Sequence, residues 1–405
     1  MRVLIIGGGV AGTVAALAAQ QAGFEARLFE AYDESAGLNH GVFLTVAVNG
    51  IDALRAVDAH HVVLDAGFPS GHIQFHSGSG KHLGAIPLGP ALDDGSATHT
   101  IRRADLYRGL YELVTARGIP IEHGRRLVRA ESVPGGGVRA HFADGTSAEG
   151  DVLIGADGVH SATRAAIDPA NPGPRYAGLG NTGGFTRKAN LDAKPGDYVM
   201  VWGRDCFFGY TIAPDGEVWW FANPPAHREP SRAELRDLTP AALQERLVEL
   251  LAVDRSPAAQ IVRDSAADLG LTNQYDLPNV PTWHAGGMVV IGDAAHAVSP
   301  SSGQGASLAA EDAVVLAQCL RDLPTVPAAL ARYESLRRER VERVVKWGAG
   351  MNNTKKQGLV GRVLRDLALP LILSRADDAR EMAKMSWMFN HHIDWNRTVE
   401  PADAA

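Results

Sequence analysis

Gly7-Gly8-Gly9-Val10-Ala11-Gly12 is the stretch that decides the fold of this chain. A buried-strand pattern, Arg2–Ile6, runs into it, and an alanine-rich helical pattern, Val10–Ala22, runs out of it. A second strand pattern follows at Glu25–Phe29. Gly7 permits a tight turn, Gly9 lets the backbone approach a pyrophosphate, and Gly12 lets the helix pack closely on the sheet. An anion there meets unpaired N–H groups at the positive end of the helix. Glu30 closes the second strand, where a carboxylate accepts both hydroxyls of an adenosine ribose and repels a 2′-phosphate. Glycine turns alone are common. Strand, glycines, helix, strand and acid in this order indicate an adenine dinucleotide, without choosing between FAD and NAD.

Outward from this unit, Ala- and Leu-rich helical patterns recur at Arg103–Arg117 and Gly305–Leu320, and short apolar strands precede glycine turns at Asp151–Ile154 and Met288–Ile291. From about Pro174 to Val280 the pattern becomes the alternation of a half-exposed sheet, as in Tyr198-Val199-Met200-Val201-Trp202, and Gly71–Leu88 reads alike. The expected architecture is α/β. A Rossmann-like, glutathione-reductase-like nucleotide domain (1–70, 98–173 and 281–326) is interrupted by a mostly antiparallel β-sheet domain that takes the substrate (71–97 and 174–280). A C-terminal helical segment, 327–405, follows, with Pro370 expected as a break.

A chain of 405 residues buries a sizeable core. Its formal charge of -7 and its scattered basic residues argue against a nucleic-acid partner, which requires a concentrated cationic face. Cys206 and Cys319 stand far apart in no metal-ligand spacing, and adjacent His391 and His392 point apart on a helix, so no metal is expected. The apolar run Val3-Leu4-Ile5-Ile6 is too short for a secretory core, and no segment is long enough to span a bilayer. A cytoplasmic protein, monomer or homodimer, is expected.

Two later motifs choose the cofactor. Val152-Leu153-Ile154-Gly155-Ala156-Asp157-Gly158 is a strand running into an Asp-Gly turn and continues as Val159-His160-Ser161-Ala162-Thr163-Arg164. Val290-Ile291-Gly292-Asp293 ends a buried strand and leads through Pro300 to Gly303-Gln304-Gly305-Ala306-Ser307, with Asp312 on the helix beyond. Asp293 thus stands at the C-terminal edge of the sheet, where α/β folds bind ligands. Gly303 and Gly305 open a long helix, and their N–H groups suit the negative N1–C2=O edge of a reduced flavin. The bland alternative is a buried Asp capping a helix.

With the glycine loop, these motifs resemble the group A flavoprotein hydroxylases of the para-hydroxybenzoate hydroxylase fold, and the tetracycline-inactivating and urate-type monooxygenases are similar. The resemblance implies FAD, NAD(P)H as co-substrate, and O₂ and a small, largely apolar aromatic or natural-product molecule as partners. NAD(P)H would reduce the flavin, O₂ would add at C4a, and the hydroperoxide would hydroxylate or epoxidise an electron-rich carbon. Carried over residue by residue, Gly7, Gly9, Ala11, Gly12 and Glu30 hold the ADP half of FAD, and Arg103 approaches the ribityl–phosphate region. Leu127 offers backbone groups to the adenine, and Asp157 serves FAD and NAD(P)H contacts. Asp293 bonds a ribityl hydroxyl, Pro300 lies against the isoalloxazine, and Gly303, Gly305 and Ala306 face its edge. Two positions depart from the family: Val48 stands where Pro is usual, and Ser307 where Asn is frequent.

On the substrate side, alternation groups Tyr198, Met200 and Trp202 on one face, and Cys206, Phe208 and Tyr210 on one face of the next strand. Tyr198, Met200, Trp202, Phe208 and Tyr210 are the pocket candidates, with Pro300 and Tyr210 the candidates for a direct part in the chemistry. His72, His76, His160 and His296 are further candidate bases, each also explicable as structural. Competing functions are a flavin-dependent halogenase, a flavin-dependent reductase and a flavoprotein that only sequesters a ligand. Trp219-Trp220-Phe221-Ala222-Asn223-Pro224 approaches the halogenase Trp-x-Trp-x-Ile-Pro motif but misses at two positions.

Overall fold

The computed structural model describes residues 1–33, 41–189, 191, 193–266, 268–355, 359–373 and 378–401. Two large sheets organise it. The first has six strands in the order His284–Ala285, Met288–Val290, Val152–Gly155, Arg2–Ile6, Glu25–Phe29 and Ile121–Glu122. All neighbours run parallel except the edge pair His284–Ala285 and Met288–Val290. Val3, Leu4 and Ile5 are wholly buried, as a strand covered on both faces must be.

The helices Val10–Gln21 and Gly305–Asp322 pack on each other and form the heart of the main core. Alanine at positions 15, 16, 18 and 19 makes the first helix slim enough to be buried nearly all round. The second is buried without a break from Ser307 to Leu320, and that run includes Glu311 and Asp312. Two buried carboxylates demand cations. Arg337 Nη1 lies 2.7 Å from Glu311 and its Nε 2.8 Å from Asp312, while Arg340 bonds Glu311 at 2.8 Å. Burial alone would raise both carboxyls; the arginines, joined at Asp312 by His296, hold Glu311 near 2 and Asp312 well below its ordinary range.

The second sheet gathers seven strands in the order Thr272–Asp276, Arg175–Thr186, Val218–Asn223, Phe207–Ile212, Tyr198–Trp202, His72–Ser77 and His82–Pro87. It is antiparallel except where Tyr198–Trp202 pairs with His72–Ser77. Helices Pro240–Ala252 and Ala258–Asp264 cover one of its faces. Among the described residues there are also two three-stranded sheets, one of Leu127–Ser132, Val138–Phe142 and Ser147–Gly150, the other of Phe43–Val46, His99–Arg102 and Phe68–Pro69.

The C-terminal part is helical at Val326–Thr354, Leu359–Leu373 and Asp378–Phe389. Pro370 does not break its helix, which runs on to Leu373. A proline leaves the carbonyl four residues earlier without its N–H donor. Here that carbonyl, of Asp366, accepts a bond from Lys81 Nζ at 3.1 Å, so the defect is repaired from outside the helix. Leu369 packs into the aromatic cluster of the second sheet, while Leu364 and Leu367 remain exposed. No described helix is long and apolar enough to cross a membrane.

Candidate functional site

A cavity of about 770 Å³ runs from the glycine loop, past the ends of the parallel strands, to the open face of the seven-stranded sheet. At its first end the backbone is set by steric necessity. Gly7 has φ +103°, and a Cβ on it would stand 2.4 Å from the carbonyl oxygen of Ala156; one on Gly12 would stand 1.8 Å from that of Gly7. Gly9 differs, because a Cβ there would meet only Tyr107 Oη, at 3.8 Å, and would otherwise project into the cavity. Gly9 is also the N-cap of helix Val10–Gln21 and gives it no side-chain cap, so the first amides remain available to an anion.

Glu30 is buried, and its carboxylate accepts from the Gly8 amide at 2.6 Å and the Tyr32 amide at 2.9 Å. Each oxygen keeps a lone pair for a ligand hydroxyl. Leu127 lines the cavity beside it. Asp157 lines it too, but its carboxylate is engaged by Ser161 Oγ and by the amide and hydroxyl of Thr163. It holds the turn into helix Ala162–Ile167.

Midway, Arg103 opens helix Arg103–Ala116 and donates to Tyr107 Oη from Nε at 3.0 Å and Nη2 at 2.6 Å. Opposite stands Asp293, after the left-handed Gly292, whose amide Asp312 anchors at 2.9 Å. Protein surrounds Asp293, yet its side chain is exposed into the cavity and accepts no hydrogen bond among the described residues. Burial pushes its carboxyl above the ordinary range, against the pull of His296 and Arg103.

The turn Pro300–Ser302 and the left-handed Gly303 then deliver the chain to helix Gly305–Asp322. The Gly303 amide bonds the Pro300 carbonyl at 3.1 Å, which corrects the expectation that it is free for a ligand. Gly303 supplies the turn. The amides of Gly305 and Ala306 open the helix without a side-chain cap, and both residues line the cavity. Gln304, between them and Gly303, is tied through Asn49 Nδ2 at 3.0 Å, which also reaches Glu311 at 2.7 Å. The buried charge network thus holds both the Asp293 turn and the start of this helix. The departures from the family pattern fit here: Val48 is the first residue of helix Val48–Arg55, a position that suits proline, and Ser307 Oγ accepts the Ala47 amide at 3.1 Å.

At the far end the register decides which side chains matter. Tyr198 stands opposite Thr211, Met200 opposite Gly209 and Trp202 opposite Phe207. Tyr198, Met200, Trp202, Phe207 and Phe221 face the cavity. Phe208 and Tyr210 do not; they point to the other face, into the core beneath the covering helices, with Val199 and Val201. Neither is a pocket residue, and Tyr210 is no candidate for the chemistry. The helices Pro240–Ala252 and Ala258–Asp264 cover the even-numbered face, so the odd-numbered set looks into the cavity. Gly209 belongs to that set, and a Cβ on it would stand 2.5 Å from the Phe221 ring. A glycine in mid-strand is the signal that marked this face.

Of the histidines, His296 is tied to Asp312 in the buried network. His72 and His76 alternate with the cavity-lining Ile73 and Phe75 and so face away, while His160 lines the cavity against Tyr275. Sequence reasoning passed over Tyr107, Tyr111, Phe207, Phe221 and Lys355, all of which line the cavity. Tyr107 was within reach, being one helical turn beyond Arg103 on the same face.

This arrangement, a glycine cradle on a parallel sheet with an acid at the end of the second strand, is that of a dinucleotide-binding flavoprotein. The family model described as FAD binding domain matches residues 1–348, and the chain belongs to that family. It is 32% identical over 352 residues to the 3-amino-4-hydroxybenzoate 2-monooxygenase of Streptomyces cremeus, with 85% of each chain covered. It is 31% identical over 346 residues to the aurachin C monooxygenase/isomerase of Stigmatella aurantiaca, covering 84% of this chain and 86% of that one. Its structure superposes on that of Klebsiella pneumoniae HpxO complexed with FAD and uric acid with a TM-score of 0.81, at 26% identity and 95% coverage of both chains. The glycines that a Cβ would block, and the open Asp293, fit FAD as the cofactor.

Proposed function

We propose that this chain is an FAD-dependent monooxygenase that draws its electrons from NAD(P)H and hydroxylates a small aromatic molecule held between the flavin site and the seven-stranded sheet. The observation that carries this reading is the single cavity joining the glycine cradle to the aromatic sheet face. Bound FAD supplies the redox and oxygen-transfer chemistry. Gly9 and the uncapped amides after it would take the pyrophosphate, Glu30 the adenosine ribose, and Leu127 with the turn at Asp157 the neighbouring backbone contacts. Arg103 and Asp293 would hold the ribityl–phosphate stretch, and Gly305 and Ala306 would direct amides at the flavin's pyrimidine edge, with Pro300 against the ring.

Tyr198, Met200, Trp202, Phe207 and Phe221 would orient the substrate and exclude water, which strengthens every polar contact made within. The two buried cysteines, both free thiols, accord with a cytoplasmic setting in which reduced nicotinamide is at hand.

The reading is tested on the purified protein. It should be yellow with FAD, and Glu30→Ala should weaken FAD binding by about 1.5–3 kcal/mol, from the loss of charge-assisted bonds to the ribose. In ¹⁸O₂ with NADPH and a panel of aromatic compounds, one labelled oxygen should enter the product. An apoprotein that ignores FAD, or turnover that leaves no label in any product, overturns it.

A further inference from the structure

Lys355 follows directly on helix Val326–Thr354 and lines the aromatic end of the cavity. Its Nζ donates to Asn223 Oδ1 at 2.7 Å and stands 4.1 Å from the centroid of the Phe207 ring and 6.0 Å from that of Phe221. The orientation of Asn223 is fixed independently. Its Nδ2 donates to the carbonyl of Gly180 and to Asn181 Oδ1, at 3.3 and 3.2 Å, which leaves its oxygen for the lysine. No carboxylate among the described residues pairs with Lys355. Its one charge-coupled neighbour, the thiol of Cys206, is pushed up to about 12 by burial and so stays neutral.

Half-buried and lining the cavity, this ammonium has given up part of its water without gaining an anion. Two aromatic faces and one amide oxygen return only part of that loss. The lysine answers as a buried amine should, its pKa lowered by burial to about 7. Of its three donors, Asn223 takes one, which leaves the others for a ligand. An apolar aromatic chamber with one cation that no carboxylate pairs suits a flat molecule that brings its own negative oxygen.

We propose that Lys355 is the anion anchor of the substrate cavity: the molecule hydroxylated carries an ionised oxygen, carboxylate or phenolate, on an aromatic body, and Lys355 holds that oxygen while Asn223 holds Lys355. This rests on the monooxygenase reading above and specifies its substrate. A ligand that arrives ionised pairs with the ammonium. A phenol delivers its proton to the neutral amine, so that one O–H bond breaks, one N–H bond forms, and the same ion pair results. A neutral aromatic of equal shape leaves the cation unpaired or the amine without its acid, and is rejected for that reason.

The test compares acids with neutral isosteres by calorimetry at neutral pH, on the FAD-loaded protein: benzoate against benzamide, salicylate against salicylamide, and 4-nitrophenolate against 4-nitroanisole. Wild type should prefer the charged member of at least one pair by about tenfold or more, as expected of a charge-assisted bond. Lys355→Met should abolish the preference, and Lys355→Arg should keep part of it. If Lys355→Met does not fold, Lys355→Gln carries the same comparison. The carboxylate and phenolate pairs separate the two kinds of oxygen. Absence of any preference in wild type, whether because the acids do not bind or because the neutral partners bind equally, overturns the proposal, as does its survival in Lys355→Met. FAD content is read separately. A wild type that takes up no FAD sinks the monooxygenase reading, and the acid preference is then measured on the apoprotein. A flavin-loaded wild type without the preference sinks only the role of Lys355.

Discussion

The two ends of the cavity are built on different principles. At the cofactor end much of what faces the ligand is main chain, shaped by glycines of which Gly7 and Gly12 have no room for a Cβ, with Glu30, Arg103 and Asp293 as the side chains among it. At the sheet end they are side chains, five of them aromatic or thioether, whose direction depends on strand register. A backbone site offers one chemistry, donors for an anion, and its parts are fixed by sterics. A side-chain site on a sheet can be re-specified by substituting one residue without disturbing the ladder. The first suits a cofactor that never changes, and the second suits a substrate that differs from relative to relative.

The largest effect should come from breaking the frame behind the cofactor end. Arg337 is almost wholly buried and pairs with both Glu311 and Asp312. Arg337→Met leaves two buried carboxylates short of a cation, and should cost about 3–5 kcal/mol in chemical denaturation. The pH dependence has a definite sign. Glu311 titrates near 2 in the folded chain against an ordinary 4.5, so the stability it contributes is fully present above its unfolded value and is lost as pH falls from 4.5 toward 2. Wild type should therefore lose its advantage over Arg337→Met across that window. Equal stability of the two at pH 7 would show that the network is not what holds the Asp293 turn and the helix start.

The sheet end is sharpened by a pair of neighbours. Phe208 is fully buried and stacks on Trp220 with centroids 5.6 Å apart, whereas Phe207 faces the cavity. Phe208→Ala should cost about 3 kcal/mol of stability with little change in KM, since a cavity opens in a packed core. Phe207→Ala should lose less stability and raise KM for the substrate. If the two variants exchanged these signatures, the register would be off by one residue, which turns every side chain of the strand to the other face.

That pair also shows where sequence reading stops. The glycine loop, Glu30, Asp293 and the Gly305 turn were legible because each is a local consequence: a positive φ, a close approach, a carboxylate at a strand end. Alternation likewise separated residues 206, 208 and 210 from 207, 209 and 211. It could not say which set meets the cavity, and the richer aromatic set, with Phe208 and Tyr210, was the wrong one. What decides is non-local, namely the two helices of residues 240–264 that cover the opposite face. Lys355 is less legible still, being the first of two adjacent lysines after a long helix and meeting Asn223 only through the tertiary fold. Pro370 misled for the same reason, because its repair comes from Lys81, far away in sequence.

The smallest effect should fall on Gly305, and it isolates the ligand from the protein. A Cβ on Gly305 would meet Val298 Cγ2 at 3.5 Å, an ordinary contact, and its φ is not in the left-handed region. The fold therefore has no objection to Gly305→Ala, unlike Gly12, where the added atom would collide with the Gly7 carbonyl. The apoprotein of Gly305→Ala should melt within about 0.5 kcal/mol of wild type, as a substitution outside the known destabilising mechanisms does. Any weakening of FAD binding in that variant then reports the closeness of cofactor to helix start and nothing else. Gly305→Val, whose branches reach further into the cavity, should weaken it more and shift the flavin potential to more negative values, because amides that stabilise a developing negative charge are pushed away. The measurements are apoprotein melting, FAD titration and a dye-coupled potential. If both variants bind FAD and hold its potential as wild type does, the helix start does not face the flavin, and the backbone character of the cofactor end is confined to the glycine loop at Gly7–Gly12.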